Sequence, residues 1–146
     1  MPGSYKLDTV RKIVFSRAWG VVVDSDLIAH PNALRADPRF APDYRQIADF
    51  RDVTNYKLTS EGIRDQVHLN PFSAESRRAI IVAPGVGFGL ARMYQSSLTR
   101  DSEMFQVVHT LEEANEWVGL DRATPWPDGP ADALFGVEES RGATSR

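Results

Sequence analysis

Asp49, Arg51 and Asp52 crowd the carboxyl end of a segment, Gln46 to Asp52, whose Ile47 and Phe50 read as a β-strand. Charge at that place matters because open α/β sheets bind ligands at the carboxyl ends of their strands. An unpaired Asp49 carboxylate would suit general-base chemistry. A charged residue at a strand end more often bonds loop amides or pairs with a cation, here Arg51 or Arg64, and pairing is the preferred reading. Gly85, Gly87 and Gly89 follow an apolar strand and open a helix, the place where backbone N–H groups can cradle a phosphate. Their G-x-G-x-G spacing, with Leu90 after the third glycine, departs from the dinucleotide pattern, so a permissive turn and close helix packing are expected instead. His30, His68 and His109 stand far apart, without i, i+4 spacing or a cysteine partner, so no metal site is expected. His109, next to Thr110, reads as a helix-entry residue, with a site shared with Glu112 or Glu113 as the lesser alternative. Ser73, Ser76, Ser96 and Ser97 have no G-x-S-x-G elbow around them, which leaves serine-hydrolase chemistry without local support. No catalytic residue and no cofactor is assigned. Tyr56, Phe72 and Phe88 remain as apolar side chains that loops after strands could carry to one rim, where an acyl chain or a membrane would be met. Phe88, Met93, Tyr94 and Phe105 could line a pocket, although helical spacing favours ordinary core.

The elements that would position these residues follow from periodicity. The unbroken apolar run in RRAIIVAPGVGFGLARM, residues 77–93, stops at Pro84-Gly85 and restarts as a helix, the pattern of a buried parallel strand feeding a crossover. Similar units recur at IADFRDVTNYKLTSEGI and MFQVVHTLEEANEWV. Before them, Ser4–Asp8 and Lys12–Trp19 read as an antiparallel hairpin, with both faces of the second strand apolar. Asp24 or Ser25 is expected to cap a helix carrying Leu27, Ile28, Ala33 and Leu34, broken at Pro31. The third strand is expected to end at Asp52, with Val53 to Tyr56 as a loop and Thr59-Ser60-Glu61 starting the next helix. Phe88, Ala91, Tyr94 and Leu98 form a core-facing stripe, and Thr110 with Glu113 makes a capping box ahead of Leu111, Ala114, Trp117 and Val118. The order is therefore β-β-α-β-α-β-α-β-α, an α/β domain over residues 4–120. The tail, residues 121–146, is rich in Pro and Gly and is expected to be disordered, or docked through Trp126, Leu134, Phe135 and Val137.

The chain of 146 residues suits one domain with a self-supporting core. It has no cysteine, which removes disulfides, thiolate zinc sites and a cysteine nucleophile, and which fits a reducing cytoplasm. Its net charge of −3, with acids and bases interspersed, offers no footprint for nucleic acid. No apolar run approaches the roughly 18 to 20 residues of a spanning helix, and MPGSYKLDTVRK has no signal-peptide core, so a soluble protein is expected.

Together with this order, LRADPRFAPDYRQIADFRDVT, the RRAIIVAP strand, FGLARMYQ and LEEANEWVGL resemble the STAS-like, or SpoIIAA-like, proteins across about residues 4–120. The resemblance implies a β/α superhelix on a mixed five-stranded sheet flanked by about four helices. It also implies a bacterial, non-enzymatic regulatory domain that works by protein–protein association, the partner being an unidentified protein or a second copy in a homodimer. Members of the wider fold are regulated by phosphorylation at the start of the helix after the third strand, which falls on Thr59 or Ser60 here. Lys57-Leu58-Thr59-Ser60 lacks the acid that precedes the family's phosphorylated residue, and a plain helix cap is the preferred reading. The expected working rim comprises Asp49, Arg51, Asp52, Tyr56, Thr59, Ser60, Gly85, Gly87 and Phe88. The alternative function is a carrier of a small hydrophobic molecule or lipid in an apolar pocket between sheet and helices. An enclosed volume of about 300 Å³ or more would favour that alternative.

Overall fold

A computed structural model of the chain describes residues 3–97 and 104–135. Strands β1 (Gly3–Asp8) and β2 (Ile13–Val23) form the antiparallel hairpin, with Gly3 opposite Ala18 and Asp8 opposite Ile13. Asp8 builds its turn, since the carboxylate accepts the N–H groups of Val10 at 3.1 Å and Arg11 at 2.9 Å. Helix α1 (Asp24–Ala36), strand β3 (Arg45–Lys57), helix α2 (Ser60–His68), strand β4 (Arg78–Ile81), helix α3 (Val86–Ser97), strand β5 (Phe105–Val108) and helix α4 (Leu111–Val118) follow in order. β3, β4 and β5 add parallel to β2 and to one another, and a last strand, β6 (Ala133–Phe135), adds antiparallel to β1. The fold is thus α/β, with a mixed six-stranded sheet in the order β5-β4-β3-β2-β1-β6 and four helices among the described residues.

The sixth strand corrects the expected count of five, and it comes from the Pro- and Gly-rich tail. Residues 121–135 are tied to the domain by specific bonds. Asn115 Nδ2 donates to the carbonyls of Arg122 at 3.1 Å and Thr124 at 2.9 Å, the Trp126 ring meets Phe15 edge-on at 5.3 Å, and the Asp132 carboxylate accepts the Leu7 N–H at 2.7 Å. Residues 136–146 and Leu98 lie outside the described residues.

Alternation along the strands divides the core in two. Ile13, Phe15, Ile47, Ala79, Ile81 and Val108 bury one face of the sheet against Ala114 and Val118 of α4. Val14 and Leu7 lie on the other face with Leu34 of α1, Tyr44 and Phe72. Each fully buried Ile, Leu or Phe contributes about 1.5 to 3 kcal/mol, so these layers carry the domain.

Two further expectations are corrected. β3 does not stop at Asp52. Its polar half continues to Lys57, pairing Val53 with Gly20, Asn55 with Val21 and Tyr56 with Val22 across two register shifts in β2. Nor does α1 break at Pro31: the helix runs through it, and Pro31 is buried. Its amino end is held by Asp26, whose carboxylate accepts the Val23 N–H at 2.8 Å, and not by a side-chain cap from Asp24 or Ser25. The capping box of α4 forms as the pattern requires, with Thr110 Oγ1 accepting the Glu113 N–H at 3.1 Å and Gly119 closing the helix at φ 88°.

Candidate ligand pocket

Between the sheet face of β2, β3 and β4 and the helices α1, α2 and α3 lies a cavity of about 140 Å³. Its position follows from small and polar residues at inward-facing strand positions, where a larger apolar side chain would have closed the gap. Ser16 stands across from Ala48, and Ala48 across from Ile80, in the row that floors it. Gln46 and Arg78 are neighbours in the preceding row. Val22, Phe50, Val82, Ile63 and Leu90 supply an apolar surround, and Tyr56 stands among the lining residues.

Two polar groupings converge on this cavity. Gln46 Nε2 donates to Ser16 Oγ at 3.1 Å, and Ser16 Oγ lies 2.7 Å from His30 Nε2 on α1. Desolvation pulls the His30 imidazole down from its ordinary value to about 4, so the ring is neutral at neutral pH and Nε2 can accept the serine proton. The second grouping centres on Arg78, a residue only 3% exposed at the start of β4. Its Nη1 donates to Asn70 Oδ1 at 3.4 Å and to Tyr94 Oη at 3.3 Å. Its guanidinium lies 5.6 Å from the Phe72 ring centroid and 5.3 Å from that of Phe105, aromatic contacts that help hold it in place. Asn70, Tyr94, Phe72 and Phe105 are themselves lining residues.

The rim expected from the sequence is distributed differently. Asp49 is buried on the opposite face of the sheet from the cavity, beside α4 and not under α1 to α3. Arg51 grips its carboxylate with Nε at 3.0 Å and Nη2 at 2.9 Å. Burial pushes the Asp49 carboxyl up, but the bonds from Arg51 outweigh it and hold the group below the usual carboxylate range. The acid is therefore already paired, and Asp52 is exposed beside it. Tyr56 does reach the cavity, and burial pushes its phenol up. Gly87 lies beneath it, where a Cβ would come within 2.7 Å of Tyr56 Oη, so this glycine serves helix-to-strand contact. Gly85 takes φ 115° in the turn ahead of α3, with the permissive role expected of it. Phe88 packs on the His109 ring at 5.3 Å, and His109 Nδ1 lies 2.8 Å from the Val82 carbonyl.

Thr59 caps α2: its Oγ1 accepts the Gly62 N–H at 2.9 Å. The same hydroxyl donates to Asp24 Oδ2 at 2.6 Å, and the Thr59 N–H donates to Asp24 Oδ1 at 3.0 Å. Asp24 of α1 is thus bonded to the start of α2, and Gly62 leaves room for it, since a Cβ there would come within 2.3 Å of Asp24 Oδ1. A phosphate on Thr59 would meet this carboxylate directly, whereas Ser60 is exposed at the first turn.

A wider, open depression of about 720 Å³ lies at the amino ends of β3 and β4, among Asp43, Arg45, Glu75, Arg77 and Glu116. It is charged and unenclosed, and the smaller cavity is the better formed site. Among the described residues, no group of three or more His, Asp or Glu side chains is placed to hold a metal ion, and no helix is long and apolar enough to cross a membrane.

Ser16, His30, Gln46 and Arg78 carry this site; from sequence, His30 enters only as a candidate metal ligand, and the other three are not singled out. For the strand residues the signal was present only as isolated polar positions in apolar strands, such as Ser16 in IVFSRAW and Arg78 ahead of AIIV. No family model matches the chain, and neither a curated protein nor a solved structure matches it.

Proposed function

We propose that this chain is a non-enzymatic binding domain that takes a small molecule between its sheet and helices α1 to α3. The observation that carries the reading is the cavity of about 140 Å³ with two polar groupings in an otherwise apolar lining. A few polar groups converging on open space in an apolar lining are the ordinary signature of a ligand site. At about 140 Å³ the volume falls short of the roughly 300 Å³ expected of a carrier, so the reading is confined to a compact ligand and does not extend to a long-chain lipid. A binding role suits the paired state of Asp49, the acid best placed by sequence for general-base work. The resemblance to STAS-like proteins belongs to this proposal, supported by the hairpin followed by β/α units, and so does a cytoplasmic setting, supported by the absence of cysteine.

Protein-observed NMR with a library of fragments of up to about nine heavy atoms tests the reading. Binders should shift the amides of Ser16, Ala48, Ile80 and Ala91 together. A library in which no fragment moves those residues overturns it.

One observation favours regulatory protein association at the rim as a second reading. β3 pairs with β4 only from Gln46 to Asp49, so from Arg51 onward its edge on that side has no strand partner among the described residues. Such an edge is a template for an added strand, from a second copy or another protein. Association there should slow amide exchange over residues 51–57 as protein concentration rises.

A further inference from the structure

We propose that the ligand of this pocket is a compact, uncharged alcohol whose hydroxyl donates to Gln66 Oε1 and whose apolar body lies against Ala48, Ile80 and Leu90. The inference rests on the small-molecule reading above and adds the chemical class. Gln66 stands on α2 one turn after the buried Ile63, and both line the cavity. Its Oε1 is buried and accepts no hydrogen bond among the described residues. A buried acceptor without a donor is a standing cost to the fold, and a donor brought by a ligand removes it. The terminal torsion of a glutamine is broad, so Oε1 can turn to an entering hydroxyl. The polar groups on the sheet side are occupied with one another. Ser16 Oγ accepts from Gln46 Nε2 and lies 2.7 Å from His30 Nε2, while Asn70 Oδ1 and Tyr94 Oη accept from Arg78 Nη1.

Charge disfavours ions in this space. Arg78 and Asp26 both line the cavity and are 3% and 4% exposed, so a guanidinium and a carboxylate already balance in one lining. Arg17 directs its guanidinium over the Trp126 ring at 4.8 Å, on the α4 side of the sheet, and the His30 imidazole is neutral at neutral pH. An entering carboxylate, phosphate or ammonium would be desolvated with no counter-charge left for it. An uncharged group that finds a hydrogen bond loses far less on leaving water. The walls beyond Gln66 are aliphatic, from Ala48, Ile80 and Leu90. The volume of about 140 Å³ is close to the roughly 150 Å³ of an apolar cavity that takes benzene, so it holds a body of about six heavy atoms.

Protein-observed NMR titration of the unmodified protein at pH 7 with 3-methylbutan-1-ol, 1-fluoro-3-methylbutane, 3-methylbutanoate and 3-methylbutylammonium separates the claims, because the four share one body. The alcohol should bind roughly tenfold or more tighter than either ion. It should also bind several-fold tighter than the fluoride, which fills the same space but donates no proton. Gln66→Met keeps the length of the side chain and removes the acceptor, and it should weaken the alcohol several-fold while leaving the fluoride unchanged. Binding of either ion as tightly as the alcohol overturns the uncharged class while leaving the pocket reading in force. A fluoride that matches the alcohol, or a Gln66→Met protein that binds the alcohol as tightly as the parent, overturns the bond from hydroxyl to Gln66. Failure of all four while other fragments shift Ser16 and Ala48 overturns the ligand class alone. Failure of all four together with a silent fragment library removes the pocket reading as well.

Discussion

His30 is the residue where burial has a measurable consequence. Its imidazole is held near pKa 4 inside the fold against about 6.5 in an unfolded chain, because the surrounding protein disfavours the charged ring. Between those values the unfolded state binds more protons than the folded one. The stabilising contribution is therefore complete above about pH 6.5 and is lost as pH falls toward 4. Urea denaturation should show about 2 kcal/mol less stability at pH 5 than at pH 7.5 from this group alone. His30→Gln, which keeps an acceptor for Ser16 but cannot charge, should remove that part of the slope. An identical pH dependence in variant and parent would mean that the ring is protonated inside the fold. The sequence showed His30 only as a lone histidine without ligand spacing, which gives no sign of what it will face on a helix. The serine that it meets is 14 residues away on another element.

At the scale of elements, legibility tracked how far each segment's own composition agrees with its environment. β4 was readable from the apolar run that follows Arg78, because a central strand covered on both faces carries few polar positions to disguise it. α4 was readable from Thr110 and Glu113, whose capping is a local interaction. The carboxyl half of β3 was not, since RDVTNYK is polar and is held in extended form by pairing with β2, a contact that periodicity does not encode. β6 was missed for a related reason. Its three residues depend on β1 and on Asp132, which accepts the Leu7 N–H at 2.7 Å and lies 3.6 Å from the Arg39 guanidinium. Asp132→Ala should cost about 1 to 2 kcal/mol, by stranding a donor at the sheet edge. Hydrogen exchange should quicken at Leu7 and along β6 and stay unchanged in β4. Unaltered exchange at Leu7 would show that the tail is held by Trp126 and not by this bond.

For the molecule as a whole, the two sheet faces have different tasks. The face toward α4 is filled by Ile13, Phe15, Ile47, Ile81 and Val118, and carries stability. The face toward α1, α2 and α3 keeps open volume and polar groups, an arrangement less stable than a filled core would be. Sequence reasoning reached the fold class and the idea of a space between sheet and helices. It read Asp49 as paired and placed the working surface on the rim that runs from Asp49, Arg51 and Asp52 to Thr59, Ser60 and Phe88, because contiguous charged residues and loop ends are visible in a sequence, whereas a pocket assembled from single residues on several elements is not. Filling the space is the most direct test of the central claim. Ala48→Leu sends an isobutyl group into the cavity from the middle of β3. The account predicts a melting temperature equal to or above that of the parent, together with loss of every fragment-induced shift at Ser16, Ile80 and Ala91. A well-folded Ala48→Leu protein whose fragment binding matches the parent would contradict it.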